Sequence, residues 1–167
     1  YKLLATQLNK LERARVYQQN GIQCVVRLHV EKPHPRYLPN PSEVAAYVAV
    51  GARYFEFGNE PNLIDEWETW PSGVQCARQW IQGSAIIKAA GGIPVVFACT
   101  PGGHYDHRLW TRDFLAEVTR LGGLSSFDNA VLGIHPRPHN NPPSTPTTAT
   151  NTVTWNEWQW YATTYRN

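Results

Sequence analysis

The residues most able to do chemistry crowd into one stretch, Tyr54-Phe55-Glu56-Phe57-Gly58-Asn59-Glu60-Pro61-Asn62. An aromatic, strand-like run stops there at a carboxylate set between an amide side chain and a proline. A glutamate at such a strand end can give and take a proton if its surroundings keep it protonated near neutral pH. Its plainer role is to cap a loop turn. Asn59 can contact a ligand hydroxyl, or fold its amide back onto the turn. Glu56 precedes Glu60 by four residues and shares its side of the strand by period-two alternation. A carboxylate buried at that point needs a partner. Arg27, on the neighbouring expected strand, is the candidate, and the pair reads as structural or orienting.

Other chemistries find less support. His29 and His135 fall at strand ends, where they can touch ligand hydroxyls, orient Glu60 or simply form the rim. His34, His104, His107 and His139 lie in expected loops with Asp106 nearby, but no HExxH-type spacing exists, so no metal is expected. No GxSxG elbow supplies a serine nucleophile. Gly102-Gly103 lacks GxGxxG or Walker spacing, so no nucleotide cofactor is expected. Cys24, Cys76 and Cys99 show no CxxC spacing and allow at most one disulfide. Cys24 and Cys99 sit in apolar runs and read as small buried hydrophobes.

The elements that must position these residues alternate between helix and strand. Residues 2–19 carry Leu4, Leu8 and Leu11 at helical spacing and end at Asn20-Gly21. Ile22 to Val30 reads as a strand, followed by a loop stiffened by Pro33, Pro35, Pro39 and Pro41. Ser42 is the expected N-cap of a helix over 43–50, closed by Gly51. Residues 53–58 form the next strand, leading into a long loop with Trp67 and Trp70. A helix is expected over 74–90, a strand over 93–98, a helix over 108–121 and a strand over 130–134. The segment 138–154, rich in Pro, Thr and Asn, reads as an exposed loop. Residues 155–165 resume a helical pattern.

Four apolar strands, each followed by a helix, imply an α/β fold with about four parallel βα units. Continuous apolar runs such as Pro94-Val95-Val96-Phe97-Ala98 suit a sheet covered on both faces. An open doubly wound sheet and part of a (β/α)8 barrel both meet that description. The polar residues Arg27, His29, Asn59, Glu60, Thr100 and His135 recur at or near C-terminal strand ends, which favours the barrel. A whole barrel takes about 250 residues, so 167 residues read as one incomplete, TIM-barrel-type domain over 1–167. The chain opens at Tyr1 rather than Met, without a visible signal peptide or membrane span, and is expected to be cut at the front.

Composition narrows the partners. A formal charge of +2 with scattered Lys and Arg points to no nucleic acid and no membrane surface. Seven Trp and eight Tyr form an aromatic excess that either fills a core or offers flat faces to sugar rings. Trp67, Trp70 and Tyr105 are the candidate stacking surfaces.

Phe55-Glu56-Phe57-Gly58-Asn59-Glu60-Pro61-Asn62 resembles the fourth-strand motif of the clan A glycoside hydrolases, notably families 39, 5 and 51. The resemblance is specific around residues 53–62, and elsewhere rests on element order. It implies that Glu60 is the general acid/base of retaining O-glycoside hydrolysis on a β-linked saccharide. Asn59 then contacts the sugar 2-hydroxyl, His29 and His135 line the sugar site, and the chain supplies about strands three to six. It implies no cofactor and a carbohydrate substrate. An extracellular place of work would suit a polysaccharide hydrolase, but the sequence leaves the compartment open.

The chain departs from that pattern in one respect. The clan's nucleophile is a second glutamate at the end of strand seven. Glu157, the sole glutamate after the expected strand over 130–134, starts a helical pattern instead of ending a strand. The nucleophile is therefore expected outside this chain. The rival reading is a non-catalytic carbohydrate-binding barrel relic, and an open α/β protein with unrelated chemistry is a third. An incomplete barrel standing alone is expected to self-associate through its open sheet edges.

Overall fold

The computed structural model describes residues 2–4, 10–28, 36–67, 70, 72–135 and 155–166. Five strands form one parallel sheet in the order β1-β2-β3-β4-β5: β1 (Lys2–Leu4), β2 (Val25–Leu28), β3 (Tyr54–Phe57), β4 (Ile93–Val96) and β5 (Val131–Leu132). The helices are α1 (Lys10–Gln19), α2 (Pro41–Ala49), α3 (Gly73–Ala89), α4 (His107–Arg120) and α5 (Trp155–Thr164). Each strand lies beside its sequence neighbour and the order never reverses. A doubly wound sheet must reverse at a switch point. The fold is therefore α/β of the (β/α)8 type, incomplete, with its polar strand ends on one rim.

The expected four βα units become five strands, because Lys2–Leu4 is a strand and not the start of a helix. It pairs in parallel with Val25, Val26 and Arg27. Three residues are too few to tell period 3.6 from period 2, and Leu4, Leu8 and Leu11 fit a helical stripe by chance of spacing. Leu11 proves 37% exposed, and α1 packs through Ala14 instead. At α2 the expected cap also moves. Asn40 Oδ1 accepts from the Ser42 and Glu43 amides, with Pro41 in the first helical turn. A proline there loses nothing, since its missing N–H would have had no helical partner. The expected strands are each trimmed at one or both ends; the first helix starts at Lys10 rather than residue 2, and the later helix boundaries shift by one or two residues. The 138–154 loop and the His29, His34 and His139 positions lie outside the described residues.

Alternation along β3 divides the two faces of the sheet. Phe55 and Phe57 point to the helices and are fully buried. Phe57 stacks on Trp80 of α3 at 5.8 Å with the planes 2° apart. Phe97 meets Phe57, Trp80, Trp110 and Phe114 at centroid distances of 5.2–6.2 Å. This aromatic layer locks the sheet to α3 and α4, and Trp80 and Trp110 belong to it, not to a ligand surface. Glu56 takes the opposite face.

Gly83 in α3 exists for this packing. A Cβ there would sit 2.4 Å from the Phe57 ring. Exchanging a helical glycine for alanine normally stabilises by about 0.5–1 kcal/mol. Here the sign should invert. Gly83→Ala is expected to lower stability by about 1–3 kcal/mol through overpacking, read as a lower urea midpoint with an unchanged slope.

Candidate active site

Strands β2 and β3 run in a register that sets Arg27 directly beside Glu56. Arg27 Nε donates to Glu56 Oε2 at 2.7 Å, and both side chains are largely buried. His135, just past β5, completes the cluster. Its Nδ1 lies 2.8 Å from Glu60 Oε1, and its Nε2 lies 3.2 Å from Arg27 Nη2 and 3.6 Å from Glu56 Oε1. A guanidinium can only donate, so Nε2 faces it as an acceptor. The imidazole proton then sits on Nδ1 and is donated to Glu60. The sequence-picked residues Arg27, Glu56, Glu60 and His135 thus converge in one network. Two of them, Glu56 and His135, border a cavity of about 350 Å³ on the inner face of the sheet, which Val25, Val95 and Val131 also line.

The backbone at the end of β3 is shaped to deliver Glu60. Gly58 takes φ +83°, and a Cβ on it would press the Phe97 and Trp67 rings at 3.1 and 3.3 Å. Glu60 itself has φ +35°, outside the region a side-chain-bearing residue normally occupies. Its carboxyl group is nonetheless buried, at 3% exposure. Asn59 leaves its side-chain oxygen buried and without a hydrogen bond. Buried polar atoms are rarely left so, and a ligand donor would satisfy it.

Trp67 has a different place from the expected stacking surface. It is 2% exposed, and its indole N–H donates to the Asn59 carbonyl at 3.2 Å. Its ring is spent on the core beneath Gly58, so it positions the strand end without opening a face to a sugar. Trp70 stays 46% exposed, beside His104 and Tyr105.

Asn62 belongs to the motif but carries no sequence-assigned role. It is 1% exposed and staples the β3 loop to the β4 loop. Its amide donates to the Thr100 and Tyr105 carbonyls at 2.6 and 3.0 Å, and its oxygen accepts from the Thr100 amide at 2.8 Å. An asparagine after a strand-ending Pro looks like any turn residue, and only the fold brings residue 100 to it. Among the described residues no set of three His, Cys, Asp or Glu side chains could hold a metal ion. No helix among them is long and apolar enough to cross a membrane. A larger cavity of about 470 Å³ lies on the other face of β5, toward α5, away from Glu60.

The three cysteines are buried and unbridged. Burial pushes the Cys76 thiol far up. Cys99 rises too, first through burial and then through the proximity of Cys76 and Glu60, against a lowering hydrogen bond with Thr111.

No family model matches the sequence, and no curated protein matches it. Among solved structures, the chain is similar to a GH128 (subgroup II) endo-beta-1,3-glucanase from Sorangium cellulosum. The TM-score is 0.49 and the identity 19%, over 90% of this chain and 54% of that one. The chain spans about half the length of that enzyme's chain.

Two outcomes follow from this geometry. Arg27→Met strands Glu56 as a buried charge without its guanidinium, and is expected to cost about 3–5 kcal/mol of unfolding free energy. Arg27→Met with Glu56→Leu should recover most of that loss in the same urea titration. The raised thiols set an alkaline limit. Folded Cys76 and Cys99 hold their protons where the unfolded thiols, with pKa about 8.5, release theirs. Their contribution is full below about pH 8 and falls as pH rises past that value. Native protein at pH 8 should leave both thiols unreactive to Ellman's reagent until it unfolds.

Proposed function

We propose that this chain carries the general acid/base part of a retaining O-glycoside hydrolase site acting on a β-linked saccharide, with Glu60 as the acid/base. The observation that supports it is a glutamate at a strand end, buried in a strained backbone conformation, with its carboxyl group met by a histidine from just past the strand two places away. Strain of this kind costs about 1–3 kcal/mol and persists where the surroundings over-determine it.

In the proposed reaction the Glu60 carboxylic acid protonates the glycosidic oxygen while a second carboxylate attacks the anomeric carbon. The C–O bond to the leaving group breaks, and a glycosyl ester forms. Glu60, now a carboxylate, then takes a proton from water as that water displaces the ester. His135 engages Oε1 through Nδ1–H and so fixes the plane of the carboxyl group in both states. A carboxylic acid can accept that bond through its carbonyl oxygen as well as a carboxylate can. Asn59 is assigned to a sugar hydroxyl, on the strength of its unspent buried oxygen. His29 retains a proposed place among the sugar contacts.

Retention requires the two carboxyl groups to lie about 5–5.5 Å apart. Glu56 is a poor nucleophile because its Oε2 is tied to Arg27. We assign the nucleophile to a carboxylate outside this chain. One observation favours a binding-only reading: among the described residues, the carboxylate sharing His135 with Glu60 is that ion-paired Glu56. The two readings part on activity.

With the full-length gene product and aryl β-glycosides, Glu60→Gln should cut turnover of poor leaving groups by about 10²–10⁴-fold. Good leaving groups should suffer less, and azide should partly restore their turnover by attacking the glycosyl-enzyme. Unchanged rates after that substitution would overturn the assignment. A wild type that binds oligosaccharide without cleaving it would favour the binding reading.

A further inference from the structure

Exposed Trp70 and His104 and half-buried Tyr105 form an aromatic group on the two loops that follow β3 and β4, the same loops that carry Glu60 and Thr100. We propose that it is a second saccharide-binding subsite, outside the reaction centre, which takes one sugar ring of a β-linked oligosaccharide on the Trp70 indole. The identity of the ligand as a saccharide rests on the hydrolase reading above, while the site rests on its own geometry.

Three features make this more than a stray surface tryptophan. First, the rings are held. Trp70 meets His104 at 6.3 Å and 73°, and Tyr105 at 6.4 Å and 53°. The Tyr105 hydroxyl donates to Asp113 Oδ2 at 2.5 Å, and that bond is also the leading reason its ionisation is pushed up. Its ring is therefore fixed and its hydroxyl already engaged. Second, the polar edge is defined. The Ile64 amide donates to His104 Nδ1 at 3.2 Å. An accepting Nδ1 carries no proton, so the proton sits on Nε2, and exposed His104 presents it as a donor. Third, the two loops are tied together. Asn62 bridges them with buried hydrogen bonds to Thr100 and Tyr105, and the Tyr105 amide returns one to the Asn62 carbonyl at 3.1 Å. The platform is thereby held in a fixed relation to the end of β3.

An open indole beside an N–H donor matches the two-sided character of a sugar ring. The C–H face of the ring covers the indole, and an equatorial hydroxyl meets the donor. Trp combines a large apolar face with low conformational entropy cost, which is why exposed, braced Trp concentrates at binding surfaces. With its hydroxyls equatorial, each ring of a β-linked glucan turns axial C–H bonds to both faces, and either face can cover the indole.

The test is calorimetric titration of the Glu60→Gln protein, which cannot turn the ligand over efficiently, with β-1,3- and β-1,4-linked gluco-hexasaccharides. At least one should bind. On that background Trp70→Ala should weaken binding about tenfold or more, Trp70→Phe should keep much of the affinity, and His104→Ala should lose a smaller part. Trp70 is exposed, so unchanged far-UV circular dichroism is expected for its variants and serves as the folding control. Equal affinity in folded Trp70→Ala overturns the subsite, as does failure of both hexasaccharides to bind the folded parent. The catalytic reading is judged separately. If Glu60→Gln still hydrolyses aryl glycosides at the wild-type rate, the acid/base assignment falls while a Trp70-dependent affinity loss upholds the subsite.

Discussion

The burial of two carboxylates on the inner face of the sheet is the constraint from which the rest of this structure follows. Neither Glu56 nor Glu60 can leave water alone. Glu56 is satisfied by Arg27, which requires β2 and β3 to pair in the register observed and no other. A slip of one residue would turn either side chain to the opposite face. Glu60 is met by His135, which belongs to the end of β5, with β4 lying between. Neighbouring strands sit about 4.7–4.9 Å apart, so strands two places apart are separated by roughly 10 Å in a flat sheet. A nitrogen–oxygen distance of 2.8 Å across that gap needs long side chains converging over the intervening strand, as they do on the concave face of a curling sheet. The ion network and the curvature expected of a barrel wall are thus two aspects of one arrangement.

The opposite face supplies the rigidity. Phe57, Phe97, Trp80, Trp110 and Phe114 pack as a continuous aromatic layer against α3 and α4. Such rings have few rotamers and large buried areas, so the layer resists the adjustments that would let Gly58 and Glu60 relax to ordinary backbone angles. Trp67 joins it at the same turn, with its ring against Gly58 and its N–H on the Asn59 carbonyl. The positive φ at Glu60 thus follows two residues, Gly58 and Asn59, that are held from outside the turn. Three of the seven tryptophans, Trp67, Trp80 and Trp110, thus serve to fix this strand end and the sheet behind it.

This division explains what could be read from the sequence. The placement of Glu60 at a strand end, the Arg27–Glu56 pairing and the alternation of helices and strands depend on local periodicity and on adjacent strands, and they were legible. Lys2–Leu4 was not, because its strand character comes only from pairing with β2. The cap at Asn40 was displaced to Ser42 because both residue types cap well, and Pro41 decides between them by accepting the first helical position. Trp67 and Trp70 are three residues apart in one loop and indistinguishable by type, yet one fills the core and the other meets solvent. Asn62 staples a loop 38 residues away in sequence, and His135 reaches Glu60 across 75. No local pattern carries such distances.

The formal charges of the cluster bear on the proposed chemistry. With His135 neutral, Arg27 balances Glu56, and the state of Glu60 sets the total. While Glu60 holds its proton the cluster is neutral. Once the proton passes to the glycosidic oxygen the cluster becomes singly negative, at the moment positive charge develops on the sugar ring. The network therefore acquires its charge when that charge is attractive, and the attraction acts in a site partly screened from water. A neutral imidazole beside Glu60 donates a hydrogen bond without contributing a full positive charge. Under the proposed mechanism the Arg27 guanidinium, spent on Glu56 and facing His135 Nε2, leaves the gain of charge at Glu60 to coincide with bond cleavage.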